Sequence, residues 1–456
     1  MIMDEIKLVK EAVEKHSSLI FETEKFLWAH PETGFREWTA DQYLKNVFRG
    51  LGYDIVEAGD IPGFYAELDL HTAGPCIAIL GEMDALPCQG HPDADPVTHA
   101  AHACGHHCQC AALAGVAAAL KEEGVTTGLC GKIRLMAVPA EEIVDLAFRV
   151  SLIEEGKIHY LQGKPEFIHR GYFDGVDMAM LIHAGSQAPG TLLKVRNGPT
   201  CGCIVKRMTF IGKAAHAGAR PGQGINALYA ANTAITAANA LREKFDDDDH
   251  IRFHPIITEG GSAISVIPNR VVLESYLRGS NLKAMMRYNR MINQAFAGAA
   301  ASIGARLEIH DYPGALPMKN NPVLRQTAKQ AVELLEGEGT CLLSSEIWSP
   351  GGTDLGNLGS LIPVVQPSTT GIEGVGHSKE FRIKNPYHCC QIPAECLVMM
   401  TRLLLRDGAK RAKEVIAKAA PEFASKEEYF AAMEAFSTRG EVVNYAENGN
   451  ISIQLS

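Results

Sequence analysis

Hydrophobic positions near the start of the chain recur at intervals of three and four. Ile6, Val9, Val13, Leu19, Phe26 and Leu27 follow this spacing, which predicts helix over about residues 4–51. HPETGF at 30–35 interrupts it with Pro and Gly. Three strand-like stretches come next: YDIVEA, GFYAELDL and CIAIL. CIAIL is a short continuous apolar run, as expected of a strand buried on both faces. A Gly- and Ala-rich stretch over about 105–123 predicts helix, and KIRLMAV a further strand. Helix is expected from Glu141 onward, and DMAMLIHA at 177–184 reads as another buried strand. Strands alternating with helices predict an α/β layered sheet with helices on both faces.

The pattern changes near Asn197. CIVKRMTFIG alternates and reads as a strand, and 226–244 is a strong Ala-rich helix. IRFHPIIT, AISVI and VVLESYLRGS read as strands, 282–302 as a second helix, and ARLEIHDY as the closing strand. With the middle strands taken as a pair, this is β-α-β-β-α-β, a split βαβ unit able to stand as an inserted α+β (ferredoxin-like) domain. The expected division is therefore 1–196 with 312–456 as one domain and 197–311 as the insert. The last stretches, AKRAKEVIAKAAPEF and KEEYFAAMEAF, read as amphipathic helices packed as an extension. FDDDDH at 245–250 reads as a solvated loop.

Composition narrows the function classes. Apolar residues make up 46% of the 456, which is ordinary globular usage and argues against disorder. A net charge of −10 is a poor basis for binding nucleic acid. No apolar run is long enough to span a membrane, and the charged N-terminal stretch lacks the apolar core of a secretory signal. Twelve scattered cysteines in so long a chain fit reduced thiols in a cytoplasm better than a disulfide framework.

The densest group of ligand-type residues is HAAHACGHHCQC at 99–110, with four His and three Cys. Such a tract reads as a metal site, but it lacks the paired CxxC spacing of structural zinc sites. Cys104 and His106, two apart at the mouth of a helix, suit a more open site. PAEE at 139–142 ends the strand KIRLMAV, GEMDALP at 81–87 ends CIAIL, and His183 ends DMAMLI. Ligands of open α/β sheets lie beyond the carboxyl ends of strands. An EE pair, a lone DAL or one strand-end His is each weak alone. Their coincidence at separate strand ends is the signal.

GEMDALP, HACGHH, PAEE, the strand-end His183 and KAAHAGARPGQGINAL together resemble the metal-dependent amidohydrolases and aminoacylases of the M20 peptidase group. The likeness is to the branch with a Cys ligand, which includes auxin-conjugate and aminobenzoyl-glutamate hydrolases. It covers about residues 30–377. The resemblance implies metal ligation by Cys104, His106, Glu142, His183 and His377. It implies Glu141 as general base, Asp84 as the residue orienting a ligand His, and His216 as a lid-domain His that reaches substrate across a dimer. Arg278, in SVIPNRVVLESYLR, matches an Arg that meets a substrate carboxylate. The implied cofactor is one or two divalent ions per subunit, zinc or manganese. The implied partners are a small N-acyl amino acid or dipeptide substrate and a second copy of the chain, a homodimer through the lid. Some positions depart from the pattern: His107 stands where Asp usually follows CGH, Glu82 replaces a common Asp, and Ser275 and Tyr276 alter the lid motif.

The expected reaction is hydrolysis of a linear amide by metal-activated water, with a Glu taking the water proton. Two other readings stay open on the residues alone. One is a thiol hydrolase using Cys104, which leaves the Glu pair without a task. The other is a catalytically silent metal- or peptide-binding protein of the same fold.

Overall fold

The structure, a computed structural model, describes residues 2–446 and 450–455. The chain forms two compact units. The first comprises Met1–Pro199, Lys319–Ser349 and Asn357–Ala424; the second comprises Thr200–Met318, Pro350–Gly356 and Ser425–Ser456.

The first unit is built on a six-stranded sheet. Its order is Ile55–Glu57, Phe64–Asp69, Lys132–Val138, Cys76–Glu82, Met178–Met180 and Val364–Val365. The last four strands run parallel, and the first two add an antiparallel edge. Every residue of Cys76–Glu82 is buried, as its unbroken apolar run demands. The helix His106–Ala119 packs against it and is likewise buried along its whole length. Its run of Ala and Gly also allows close approach of the helix Ser17–Ala29: a Cβ on Gly115 would stand 2.6 Å from the Ile20 side chain. The helices Ile2–Glu14, Ser17–Ala29, Trp38–Gly50 and Ile392–Ala417 complete this core.

The second unit is an antiparallel sheet ordered Arg252–Phe253, Arg270–Gly279, Gly202–Ile211, Arg306–Pro313, Arg439–Tyr445 and Ile451–Ile453. Ile256–Glu259 pairs with Arg270–Gly279. The helices Ala227–Ala240 and Leu282–Ile303 cover it through Ala230, Ala234, Tyr288, Ile292 and Phe296. This is the β-α-β-β-α-β arrangement, extended by two strands from the C-terminus.

Two expectations need correction. Residues 312–318, 350–356 and 425–456 fall in the second unit and not the first; Arg439–Tyr445 pairs with Arg306–Pro313, and Val442 and Val443 enter the second core. Residues 263–267 are not a strand. They form a turn with one isolated bridge, His216 to Val266, because Pro268 and the neighbouring glycines redirect the chain. The 245–250 run contains a short turn of 3₁₀ helix, Asp247–Asp249, with no buried residue.

Among the described residues, no helix is long and apolar enough to cross a membrane.

Candidate metal centre

Strand register brings the candidate residues together. Glu82 pairs with Val138 at the ends of two neighbouring parallel strands, and Met83 N donates to Val138 O at 3.0 Å. Glu82 and Asp84 therefore leave one strand beside the point where Ala140, Glu141 and Glu142 leave the other. Helix does not begin at Glu141, as the sequence suggested; it begins at Leu146, capped by Asp145. Between the strand ends enters the His106 helix. Gly105 takes φ 88°, and a Cβ there would lie 2.8 Å from the Ala184 Cβ, so only glycine fits between Cys104 and His106.

Ligand atoms of Cys104, His106 and His183 lie within 4.8 Å of one another. The same holds for Cys104, Glu142 and His377, and for His106, Glu141 and Glu142. Cys104 Sγ is 3.5 Å from His183 Nε2, and His377 Nε2 is 2.8 Å from Glu142 Oε1. His106 Nδ1 lies 3.0 Å from both Asp84 Oδ1 and the Asp84 carbonyl, and His183 Nδ1 lies 2.7 Å from the Ala184 carbonyl. In the neutral rings these acceptors place the proton on Nδ1 and turn each Nε2 lone pair toward the cluster.

His106 Nε2 is buried without a hydrogen-bond partner. Glu82 Oε2 stands 3.3 Å from it, out of hydrogen-bonding alignment, and Glu141 Oε2 stands 4.0 Å away. An orphaned imidazole nitrogen facing carboxylates, a thiol and a second imidazole is a donor set missing its acceptor. Sulfur, nitrogen and oxygen in this mixture suit a divalent ion of borderline softness.

The charges of the site are shared out by burial and neighbours. Burial pushes the Cys104 thiol well up, against the pull of His106. Burial would lower His106, but Cys104, Glu82 and Asp84 outweigh it and hold the ring well above its ordinary range. Burial would raise Glu82; the Lys164 ammonium, 2.5 Å away and fully buried, together with His106 and His183, brings it to about 2. Burial also acts to raise Glu142, and the His377 contact, with His106, leaves it below the usual carboxylate range. Burial and then the Asp84 charge hold Glu37 well above that range.

Asp84, Cys104, His106, Glu141, Glu142, His183 and His377 thus gather in the first unit. His216 and Arg278 belong to the second. His216 is exposed, and its Nδ1 accepts from the backbone of Gly218 and Ala219, so the neutral ring carries its proton on Nε2. Arg278 stacks over Tyr276, donates to the Pro350 carbonyl at 3.3 Å, and has no acidic partner among the described residues.

The departures from the motif have physical outlets. His107 turns away from the cluster into a pocket of Trp28, His102 and Glu24, where burial takes its pKa down to about 3. Glu82 gains Lys164 and Gln109 as buried partners. Sequence reasoning missed Lys164, Glu37, Gln162 and Arg149, which no spacing rule connects to the motifs. All twelve cysteines are free.

A layered α/β domain delivering thiol, imidazole and carboxylate donors to one set of strand ends defines a metal-dependent hydrolase. The chain matches the model of peptidase family M20/M25/M40 over residues 78–404, and it belongs to that family. It is 26% identical over 394 residues to a Xaa-Arg dipeptidase of Mus musculus, covering 82% of this chain and 80% of the relative. It is 27% identical over 362 residues to an N-acetylcysteine deacetylase of Bacillus subtilis, covering 77% and 88%. A dinuclear metal-binding peptidase of the M20 family from Bacillus subtilis shares the fold, with a TM-score of 0.62 and 22% identity over 86% of this chain and 98% of that one. The protein is a metal-dependent amidohydrolase.

Proposed function

We propose that this enzyme hydrolyses the amide bond of N-acyl amino acids or small dipeptide-like conjugates. The observation that carries the reading is the convergence of Glu141 and Glu142 on His106 beside Cys104, His183 and His377. Cys104, His106, Glu142, His183 and His377 would hold one or two divalent ions, zinc or manganese. When bound, such an ion supplies Lewis acidity that polarises the scissile carbonyl and lowers the pKa of water toward ~7.

Glu141 takes the water proton and returns it to the leaving amine. Asp84 fixes the His106 tautomer. His216, with its proton on Nε2, donates a hydrogen bond to the developing oxyanion, in trans across a homodimer. Arg278, with no acidic partner among the described residues, clamps the substrate carboxylate and so selects amides of amino acids. Relatives named for a dipeptide and for an N-acetyl amino acid support this substrate class. Free thiols throughout support a reducing compartment, the cytoplasm.

The test is amine release from a panel of N-acyl amino acids and dipeptides, with Zn²⁺ or Mn²⁺ supplied, beside Glu141→Gln. Turnover by the wild type that disappears in the variant is the expected result. Silence across the panel in metal-loaded protein would overturn the substrate class, and undiminished turnover by Glu141→Gln would overturn the role of Glu141.

A further inference from the structure

Successive side chains of an extended chain point to opposite faces. Glu141 and Glu142 nevertheless bring carboxylate oxygens within 4.8 Å of each other and of a His106 ring nitrogen. The turn that allows this is made at Ala140, a buried non-glycine residue with φ 56°. That conformation is disfavoured for an L-residue and persists only where its surroundings over-determine it.

The surroundings do so through side chains. Glu37 Oε1 accepts from Ala140 N at 2.7 Å. Gln162 Nε2 donates to the Glu141 carbonyl at 2.5 Å. Asp84 Oδ2 accepts from Glu142 N at 2.8 Å. Arg149, fully buried, donates through one nitrogen to the Glu142 carbonyl and through another to the Leu161 carbonyl, next to Gln162. Gly163 N closes the set on the Ala140 carbonyl at 3.1 Å. Two glycines let these elements approach: a Cβ on Gly163 would lie 1.8 Å from Pro139 O, and one on Gly34 would lie 2.3 Å from Arg149 Nη2 and 2.8 Å from Ala140 Cα. The HPETGF break and the loop before Gln162 therefore wrap the same three residues.

We propose that Glu37, Gln162 and Arg149 are positioning residues that fix the directions in which Glu141 and Glu142 present their carboxylates. The inference rests on the roles proposed above for those two glutamates. None of the three touches substrate; each acts through the backbone of 140–142. Released from one clamp, the turn relaxes, and a displacement of order 1 Å is enough to cost about 100-fold in rate.

The test uses the full-length, zinc-loaded protein. Glu37→Leu removes the acceptor at similar volume, Glu37→Gln keeps a carbonyl acceptor, and Gln162→Met removes the donor. Three quantities are read: kcat and KM on the best N-acyl amino acid, zinc affinity by competition with a chromophoric chelator, and hydrogen exchange of the 140–142 amides in metal-free protein. Glu37→Leu and Gln162→Met are expected to lower kcat about 10- to 100-fold with KM within about 3-fold. They weaken zinc by about 10- to 100-fold and speed exchange at 140–142, but not in the 106–119 helix. Glu37→Gln recovers most of the kcat lost in Glu37→Leu. Wild-type kcat and zinc affinity alongside a lowered melting temperature would overturn the proposal, leaving these residues a purely structural role. Should Glu37→Leu not fold, Gln162→Met decides alone. Turnover surviving in Glu141→Gln would sink the function proposed for that residue, while zinc affinity and exchange would still judge the positioning.

Discussion

Asp84 holds His106 with one carboxylate oxygen and the Glu142 backbone with the other: Oδ1 lies 3.0 Å from His106 Nδ1, and Oδ2 lies 2.8 Å from Glu142 N. Both neighbours are donors, so the group at this position must accept twice. A carboxylate does so and a carboxamide cannot, because its nitrogen would face an N–H. Asp84→Asn thus either turns an N–H against the imidazole, which keeps only the Asp84 carbonyl at 3.0 Å, or leaves the Glu142 N–H without its acceptor. The expected outcome is a 10- to 100-fold loss of zinc affinity, in the range seen when the residue behind a ligating His is changed. Chelator competition measures it, and unchanged affinity would remove Asp84 from any orienting role.

The thiol can be tested separately from the imidazoles. Among the described residues, Cys104 and Cys130 are the only cysteines that are not buried. In metal-free protein, iodoacetamide at alkaline pH is expected to label both, Cys104 only slowly because burial holds its thiol protonated. Bound zinc should protect Cys104 and leave Cys130 reactive. Mass spectrometry of the two peptides reads the result, and equal labelling of Cys104 with and without zinc would exclude it as a ligand. A chelator should abolish turnover, with recovery on adding zinc except in protein alkylated at Cys104. Turnover that survives the chelator would instead restore the thiol-hydrolase reading.

Legibility in the sequence followed the range of the interactions. CIAIL and KIRLMAV announce themselves because a strand buried on both faces has no polar side to interrupt its apolar run. The strand-end residues Asp84, Glu142 and His183 could be grouped because parallel strands level their carboxyl ends, which is a rule of topology. The closing strands 439–445 and 451–453 were hidden: a few apolar residues in a short, polar-flanked stretch look alike whether they meet a sheet edge or solvent. AISVI misled in the opposite way, since β-branched residues in a turn carry the composition of a strand. The Glu37 contact with Ala140 spans 103 residues and joins two backbone breaks, so no local period encodes it. His107 could be seen as a departure, but only the Trp28 and His102 rings around it explain where it goes.

Arg278 is expected to discriminate by charge. Its guanidinium has no acidic partner among the described residues, and Gly352 gives it room: a Cβ there would lie 3.0 Å from Nη2. Arg278→Ala should raise KM for a substrate with a free carboxylate by about 10- to 100-fold, the scale of a hydrogen bond to a charged group. The matching carboxamide substrate should be affected little in KM or kcat. Steady-state kinetics on the two substrates provide the check. Equal losses on both would show that Arg278 supports the fold of its unit instead of the substrate.

Glu395 sets an expectation for stability against pH. It lies in the first turn of Ile392–Ala417 and is only 2% exposed. Oε1 accepts from Gln391 Nε2 at 3.0 Å, and Oε2 is buried without a partner. Burial, with Glu336 and Glu14 nearby, raises its carboxyl from 4.5 to about 7. The sign follows from proton counting. Below about pH 4.5 the group is protonated in both states and costs nothing. Between about 4.5 and 7 the unfolded chain releases the proton and the folded chain keeps it, so stability falls as pH rises. Above 7 the full cost is present, on the order of 3 kcal/mol from a shift of this size. Glu395→Gln keeps the shape and removes the charge. It is expected to raise the melting temperature by several degrees at pH 8 and to leave it nearly unchanged at pH 5. Thermal unfolding of variant and wild type across that range isolates the term, because every other titrating group cancels in the difference. A gain of equal size at both pH values would show that packing, and not the buried charge, separates the two proteins.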